Sequence, residues 1–355
     1  MKEYRPAELP ELERLGRTAV CEDGSLAVFW TASGAELTLT ATDLSMEVDS
    51  QYGSLELWID VMIDGECSQR IRLPRGRSHI PVFQGMDATR ERVVRILRDT
   101  QAMAQDGVSV LRILKIETDD GAVFRKAEEP ALRLEVIGDS ITSGEGAGLE
   151  RQIEWAPIVF SAIHSYGYLT AEKLHARVQI LSSSGWGLYA SWDANTDCAL
   201  PPYYNEVCGL ASGEKNASFG AQAPWDFASY RPDCIVINLG TNDSGALKNQ
   251  DRWTKEEYQP LFIDTAVSFL KNLRAKNPQA YLLWAYGMLG NDMAGWIREA
   301  IDRYVRESGD GRVSYFEFAN CTEDRLGVRY HPNRLAHEEA AAALAGEIQR
   351  VLSRN

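Results

Sequence analysis

The stretch "VIGDSITSGEGAG", residues 136–148, joins an apolar run to a cluster of glycines through Gly138, Asp139 and Ser140. A serine at the end of a strand either caps the helix that follows or presents its hydroxyl for chemistry. The stretch alone does not separate the two, but it excludes several other readings. A Walker loop needs Gly-x-x-x-x-Gly-Lys, and no lysine is present. A dinucleotide fingerprint needs Gly-x-Gly-x-x-Gly, whereas "GEGAG" offers Gly-x-Gly-x-Gly. The α/β-hydrolase elbow needs Gly-x-Ser-x-Gly, and Thr142 stands where its second glycine would be.

Downstream, strands and helices alternate. "LRLEVI" (132–137), "RVQILSSSG" (177–185), "DCIVINLG" (233–240) and "AYLLWAYG" (280–287) read as strands, the third a continuous apolar run. Between and after them, "HSYGYLTAEKLHA" (164–176), "FIDTAVSFLKNLRAKNP" (262–278) and "RLAHEEAAAALAGEIQRVLSR" (334–354) read as helices. That alternation predicts a parallel sheet covered on both faces, with reactive groups gathered at the carboxyl ends of its strands.

Upstream, the pattern has a period of two. "AELTLTA" (35–41) puts Leu37, Leu39 and Ala41 on one face. "LELWIDVMI" (55–63) puts Leu55, Leu57, Ile59, Val61 and Ile63 on one face, with Glu56 and Asp60 opposite. Turn sequences such as "EDGS", "QYGS", "IDGE" and "TDDG" separate such runs. Short strands at this spacing predict a β-sandwich or jelly roll. The expected organisation is therefore an all-β domain over 1–128 and an α/β domain over 129–355.

The formal charge of −14 argues against nucleic acid and anionic membrane surfaces as partners, and sets no barrier to an uncharged substrate. No run of eighteen apolar residues is present, so no membrane span is expected. The charged, proline-broken start, "MKEYRPAELPELERLG", lacks a secretory core. A cytoplasmic location is expected, with an extracellular one open if the chain is processed. The six cysteines form no Cys-x-x-Cys and are expected to be reduced, although Cys198 and Cys208 form a candidate pair in an oxidising compartment. No metal-binding spacing is visible, and no cofactor is expected.

Three strand ends carry conspicuous residues, "VIGDSIT", "SSSGWGL" and "INLGTND", and "VRYHPN" precedes the last helix. Acyl transfer needs an activated hydroxyl, a base and donors for the oxyanion. Ser140, exposed at a strand-to-helix turn, is the candidate nucleophile and His331 the base. The Ser140 N–H, the Gly185 N–H and the Asn242 side chain are the candidate oxyanion donors, with Gly187 a rival to Gly185. Asp139 is assigned to support of the turn.

Gly138-Asp139-Ser140, Ser184-Gly185, Gly240-Thr241-Asn242-Asp243 and His331-Pro332, in that order, resemble the SGNH (GDSL-type) hydrolase family. Together with "RTA" (17–19), "WTASGAELTLTATDLSMEV" (30–48) and "YHPN" (330–333), they resemble carbohydrate esterase family 2. The resemblance implies an N-terminal jelly roll followed by a flavodoxin-like SGNH domain. It implies a serine esterase that removes O-acetyl groups from acetylated xylo-, manno- or gluco-oligosaccharides or polysaccharides. One departure stands out. The family usually carries Asp three residues before the histidine, and some relatives carry it two before; here those positions hold Val328 and Arg329. A Ser140–His331 dyad is therefore expected, its imidazole held by a backbone carbonyl or by a carboxylate from elsewhere. Glu323 and Asp324 are nearest in sequence, and Glu145 reads as a loop charge.

Trp186 and Tyr330 are candidate sugar-contacting residues, with Trp192 a weaker one. His79, His164, His175 and His337 read as structural or solvent-facing. Two alternatives stay open: an esterase or thioesterase for lipid or other acyl esters, and a carbohydrate-binding protein whose β-domain is the working part. The sequence does not define an oligomeric state.

Overall fold

The structure, a computed structural model, describes residues 1–353. Its contacts group them into two compact units. The first comprises Met1–Glu129, Ala156–Ile158 and Asn205–Trp225; the second comprises Pro130–Trp155, Val159–Tyr204 and the chain from Asp226 onward.

The first unit holds two antiparallel sheets. In one, the strands run in the order Thr18–Val20, Leu26–Val28, Val110–Thr118, Leu44–Gln51, Gly76–Phe83, with Lys2–Tyr4 also paired to Val110–Thr118. In the other the order is Val123–Arg125, Gly34–Thr40, Arg92–Arg98, Trp58–Ile63, Glu66–Arg72, with Glu13–Leu15 on Gly34–Thr40. Leu37, Leu39, Ile59 and Val61 from the second sheet share one apolar cluster with Leu26, Met46, Val48 and Ile113 from the first. That common core makes the unit a sandwich.

The alternation errs on the other face, which it marks as polar. Glu36 and Asp60 are buried as well. Cations on neighbouring strands cover that face: Arg95 Nε bonds Glu36 at 2.6 Å, and Arg70, directly across from Asp60, bonds Asp99 at 2.7 Å. The stretch Asn205–Trp225, read from the sequence as part of the second domain, also packs here. Trp30 Nε1 donates to the Val207 carbonyl at 2.7 Å, Asn216 Nδ2 donates to Ser109 at 3.1 Å, and Arg112 lies over the Phe219 ring.

The second unit is built on β1 (Leu132–Gly138), β2 (Ala176–Ser182), β3 (Cys234–Asn238), β4 (Tyr281–Tyr286) and β5 (Val313–Glu317). They are all parallel, in the order β2-β1-β3-β4-β5. Every residue of β3 is buried, which is why it reads as an unbroken apolar run. The helices are α1 (Tyr166–Lys173), α2 (Thr241–Asn249), α3 (Lys255–Lys276), α4 (Ala294–Ser308) and α5 (Arg334–Leu352). α1 packs on α5 and β2, and α4 packs on α3 and β5. The Asn333 side chain caps α5 by accepting from Ala336 N at 3.1 Å. Its inner face carries Ala341, Leu344, Ile348 and Val351 at helical spacing. The sequence reading ran this helix to Arg354, which lies outside the described residues. Because the strands are parallel, their carboxyl ends share one edge, and the order reverses between β1 and β3.

Candidate active site

Ser140 sits just past β1. A Cβ on Gly138 would lie 2.0 Å from Thr142 Oγ1 and 2.9 Å from the Asn238 carbonyl, so only glycine lets the chain turn this tightly. The helix expected after Ser140 is absent. Successive turns replace it, closed by Ser143 N to Asp139 O at 3.0 Å and Glu145 N to Ser140 O at 2.9 Å. Asp139 braces them, its Oδ1 accepting from Ile141 N at 3.0 Å. Full burial pushes the Asp139 carboxyl up to about 7; the Ile141 N–H opposes the shift, and the nearby Asp243 and Glu145 charges add to it.

Ser140 Oγ lies 2.9 Å from His331 Nε2. On the other side of the ring, Nδ1 lies 3.0 Å from the Arg329 carbonyl. A carbonyl only accepts, so Nδ1 carries the proton and Nε2 faces the serine hydroxyl as an acceptor. The turn that carries the ring is unusual, with Arg329 and Tyr330 both at φ 58°. Gly327 N bonds the His331 carbonyl at 2.7 Å, and the Gln152 amide bonds both Gly327 O and Arg329 N. Neither acid nearest in sequence serves the ring: Asp324 is turned to Thr322 and Arg325, and Glu323 makes no bond to the imidazole. Glu145 is not a loop charge. It is 1% exposed, accepts from Ser184 Oγ at 2.6 Å and Arg329 Nε at 3.0 Å, and lies 3.8 Å from His331 Nδ1. No spacing in the sequence marks it.

Beyond β2, Gly185 has φ 81°. Among the described residues, neither its N–H nor that of Ser140 has a protein acceptor. Gly187 differs: its N–H is engaged by the Cys198 carbonyl at 3.3 Å. Asn242 opens α2, its Nδ2 2.8 Å from Trp186 O and 3.3 Å from Asp139 Oδ2. The next residue, Asp243, anchors the loop after β2 by accepting from Leu188 N, Tyr189 N, Ala190 N and the Tyr258 hydroxyl. Burial raises its carboxyl, against those bonds.

Trp186 packs on Tyr203, with ring centroids 5.4 Å apart, while Trp192 and Tyr330 are 52% and 73% exposed. His337 is buried, accepts from Tyr166 N at Nδ1, and is driven down to about 3 by burial, so it stays neutral. His79 bonds Ser45 and Glu117, and His164 bonds Ser161. All six thiols are free. Among the described residues, no cluster of three metal-ligating side chains occurs, and no helix is long and apolar enough to cross a membrane.

A 2-1-3-4-5 parallel sheet bearing a serine–imidazole contact and unspent N–H donors at its carboxyl edge defines a hydrolase of the acyl-transferring kind. Residues 136–339 match the GDSL-like lipase/acylhydrolase family, and residues 14–126 match the N-terminal domain of carbohydrate esterase 2. The protein belongs to the GDSL-like lipase/acylhydrolase family, as a member of carbohydrate esterase family 2, and is a carboxylic ester hydrolase. An acetyl xylan esterase from the rumen bacterium Butyrivibrio proteoclasticus is 33% identical, with a TM-score of 0.94 over 99% of this chain and 98% of that one. An acetylxylan esterase/glucomannan deacetylase from Cellvibrio japonicus is 29% identical over 97% of this chain and 89% of its own. A family two carbohydrate esterase from Clostridium thermocellum, solved with cellohexaose, shares the fold at 21% identity and a TM-score of 0.81, covering 96% and 99% of the two chains.

Proposed function

We propose that the protein removes O-acetyl groups from carbohydrates through an acyl-enzyme on Ser140. The 2.9 Å contact between Ser140 Oγ and His331 Nε2 carries this reading. His331 takes the hydroxyl proton as Oγ attacks the acetyl carbonyl, and the Arg329 carbonyl holds Nδ1–H through the step. The two free N–H groups, of Ser140 and Gly185, receive the oxyanion, and Asn242 Nδ2 joins them by giving up its bond to the Trp186 carbonyl. The proton on Nε2 goes to the departing sugar oxygen. Water, deprotonated by His331, then releases acetate.

The net charge of −14 suits a neutral sugar ester, and the exposed rings of Tyr330 and Trp192 beside the site offer faces on which a sugar packs. The relatives' activity on acetylated xylan and glucomannan supports an oligosaccharide or polysaccharide substrate of this kind. The test is acetate release from acetylated xylan and glucomannan by wild type and Ser140→Ala, alongside nitrophenyl esters from acetyl to octanoyl. Turnover by the variant removes the nucleophile assignment. A preference for octanoyl replaces the carbohydrate reading with a lipid-ester one.

A further inference from the structure

We infer that Glu145 is the acidic positioning residue for His331, with Arg329 as the cation that holds it in place and tempers its charge. The inference rests on the Ser140–His331 reading above. One residue, Arg329, joins the two partners: its carbonyl meets His331 Nδ1, and its side chain returns to Glu145 Oε1. The left-handed backbone at Arg329 lets carbonyl and guanidinium serve the two groups at once. The nucleophile loop is built to come this close. A Cβ on Gly146, next to Glu145, would lie 2.5 Å from Pro332 O and 2.8 Å from His331 Cβ. Ser184 Oγ fixes the far oxygen of the carboxylate at 2.6 Å.

At 3.8 Å the Glu145 oxygen is too far for a hydrogen bond to Nδ1, so it acts by charge. As Ser140 gives its proton to Nε2, a cation forms beside a carboxylate with 1% exposure, where the field is weakly screened. Glu145 acts through its position and charge beside the ring. It favours the imidazolium, and Arg329 opposes part of that effect. Of the other titratable groups, His337 on α5 senses the ring electrostatically and is itself neutral.

The test compares Glu145→Gln, Glu145→Asp and Arg329→Gln in the full chain. Turnover of nitrophenyl acetate is followed against pH, and the His331 ring is titrated by NMR without substrate. Glu145→Gln should lower kcat about tenfold or more with KM within about twofold, and move the ring titration down by about one pH unit. Arg329→Gln should move it up, and Glu145→Asp should recover part of the loss. A purely structural role moves neither titration in these opposite directions. Unshifted titrations with kcat within about twofold of wild type would overturn the inference; if Glu145→Gln does not fold, an unmoved or lowered titration in Arg329→Gln does the same. Because the ring is read without turnover, an active Ser140→Ala enzyme would sink the esterase mechanism separately.

Discussion

Gly185→Ala separates an oxyanion donor from a glycine that merely makes a turn. At φ 81° an alanine costs about 1–2 kcal/mol of backbone strain. Its Cβ would meet Trp192 Cδ1 at 3.1 Å, and that ring is half exposed and can shift by the few tenths of an ångström required. A domain of this size loses about 2–4 °C of Tm per kcal/mol, so the variant folds with a modestly lower Tm. Turnover is more sensitive. Relaxing the strain moves the Gly185 N–H, and a donor misplaced by up to ~1 Å costs up to about 100-fold in rate. The expected result is a 10- to 100-fold fall in kcat on nitrophenyl acetate, with KM little changed. Gly187→Ala is the contrast, because there a Cβ would fall 1.9 Å from the Ala190 carbonyl and 2.7 Å from Asp243 Oδ2, and the protein should not fold. A folded Gly185→Ala enzyme with wild-type kcat would refute the donor assignment.

Asp139 titrates near 7 in the folded protein and near 3.9 in the unfolded chain. Its contribution to stability is whole below about pH 4 and is lost as pH rises to about 7, because only the unfolded state releases the proton there. About three units amount to roughly 4 kcal/mol, so Asp139→Asn should flatten much of the fall in denaturant-measured stability between pH 4 and 8; an unchanged slope contradicts the burial argument. Thr254 caps α3, accepting from Glu257 N while Glu257 reaches back to Thr254 N. Thr254→Ala should cost about 1 kcal/mol and a few degrees of Tm with kcat unaffected, and a loss of activity at unchanged Tm would contradict it.

The parts of the fold that were legible in the sequence are those where one physical demand dominates. β3 is buried on both faces and reads as an apolar run, and α5 shows its packed stripe at helical spacing. Ser140 and His331 were legible because strand ends and turn residues mark them. α3 was read too short. Its capping box at Thr254 and Glu257 places the start at Lys255, and Pro260, which has no N–H for the i→i−4 ladder, lies inside the helix and masks its first turns in the sequence. Glu145 was not legible, because its role depends on a partner, Arg329, 184 residues away, and on a carboxylate going into a loop rather than out of it. The burial of Glu36 and Asp60 escaped the alternation for a similar reason, since period-two patterning reports polarity and not the arginines that cover it.

The excursion at Asn205–Trp225 bears on how such a protein can be taken apart. A single cut after the last N-terminal strand would strip the sandwich of the stretch that receives the Trp30 indole, and would leave a loop of the remaining half with nothing to lie on. Fragments meant to represent the β-domain must carry Asn205–Trp225 as well as the N-terminal stretch, and chimaeras between relatives must exchange the two as a matched set. Genetic drift in one stretch therefore constrains the other, although some 75 residues of chain lie between them.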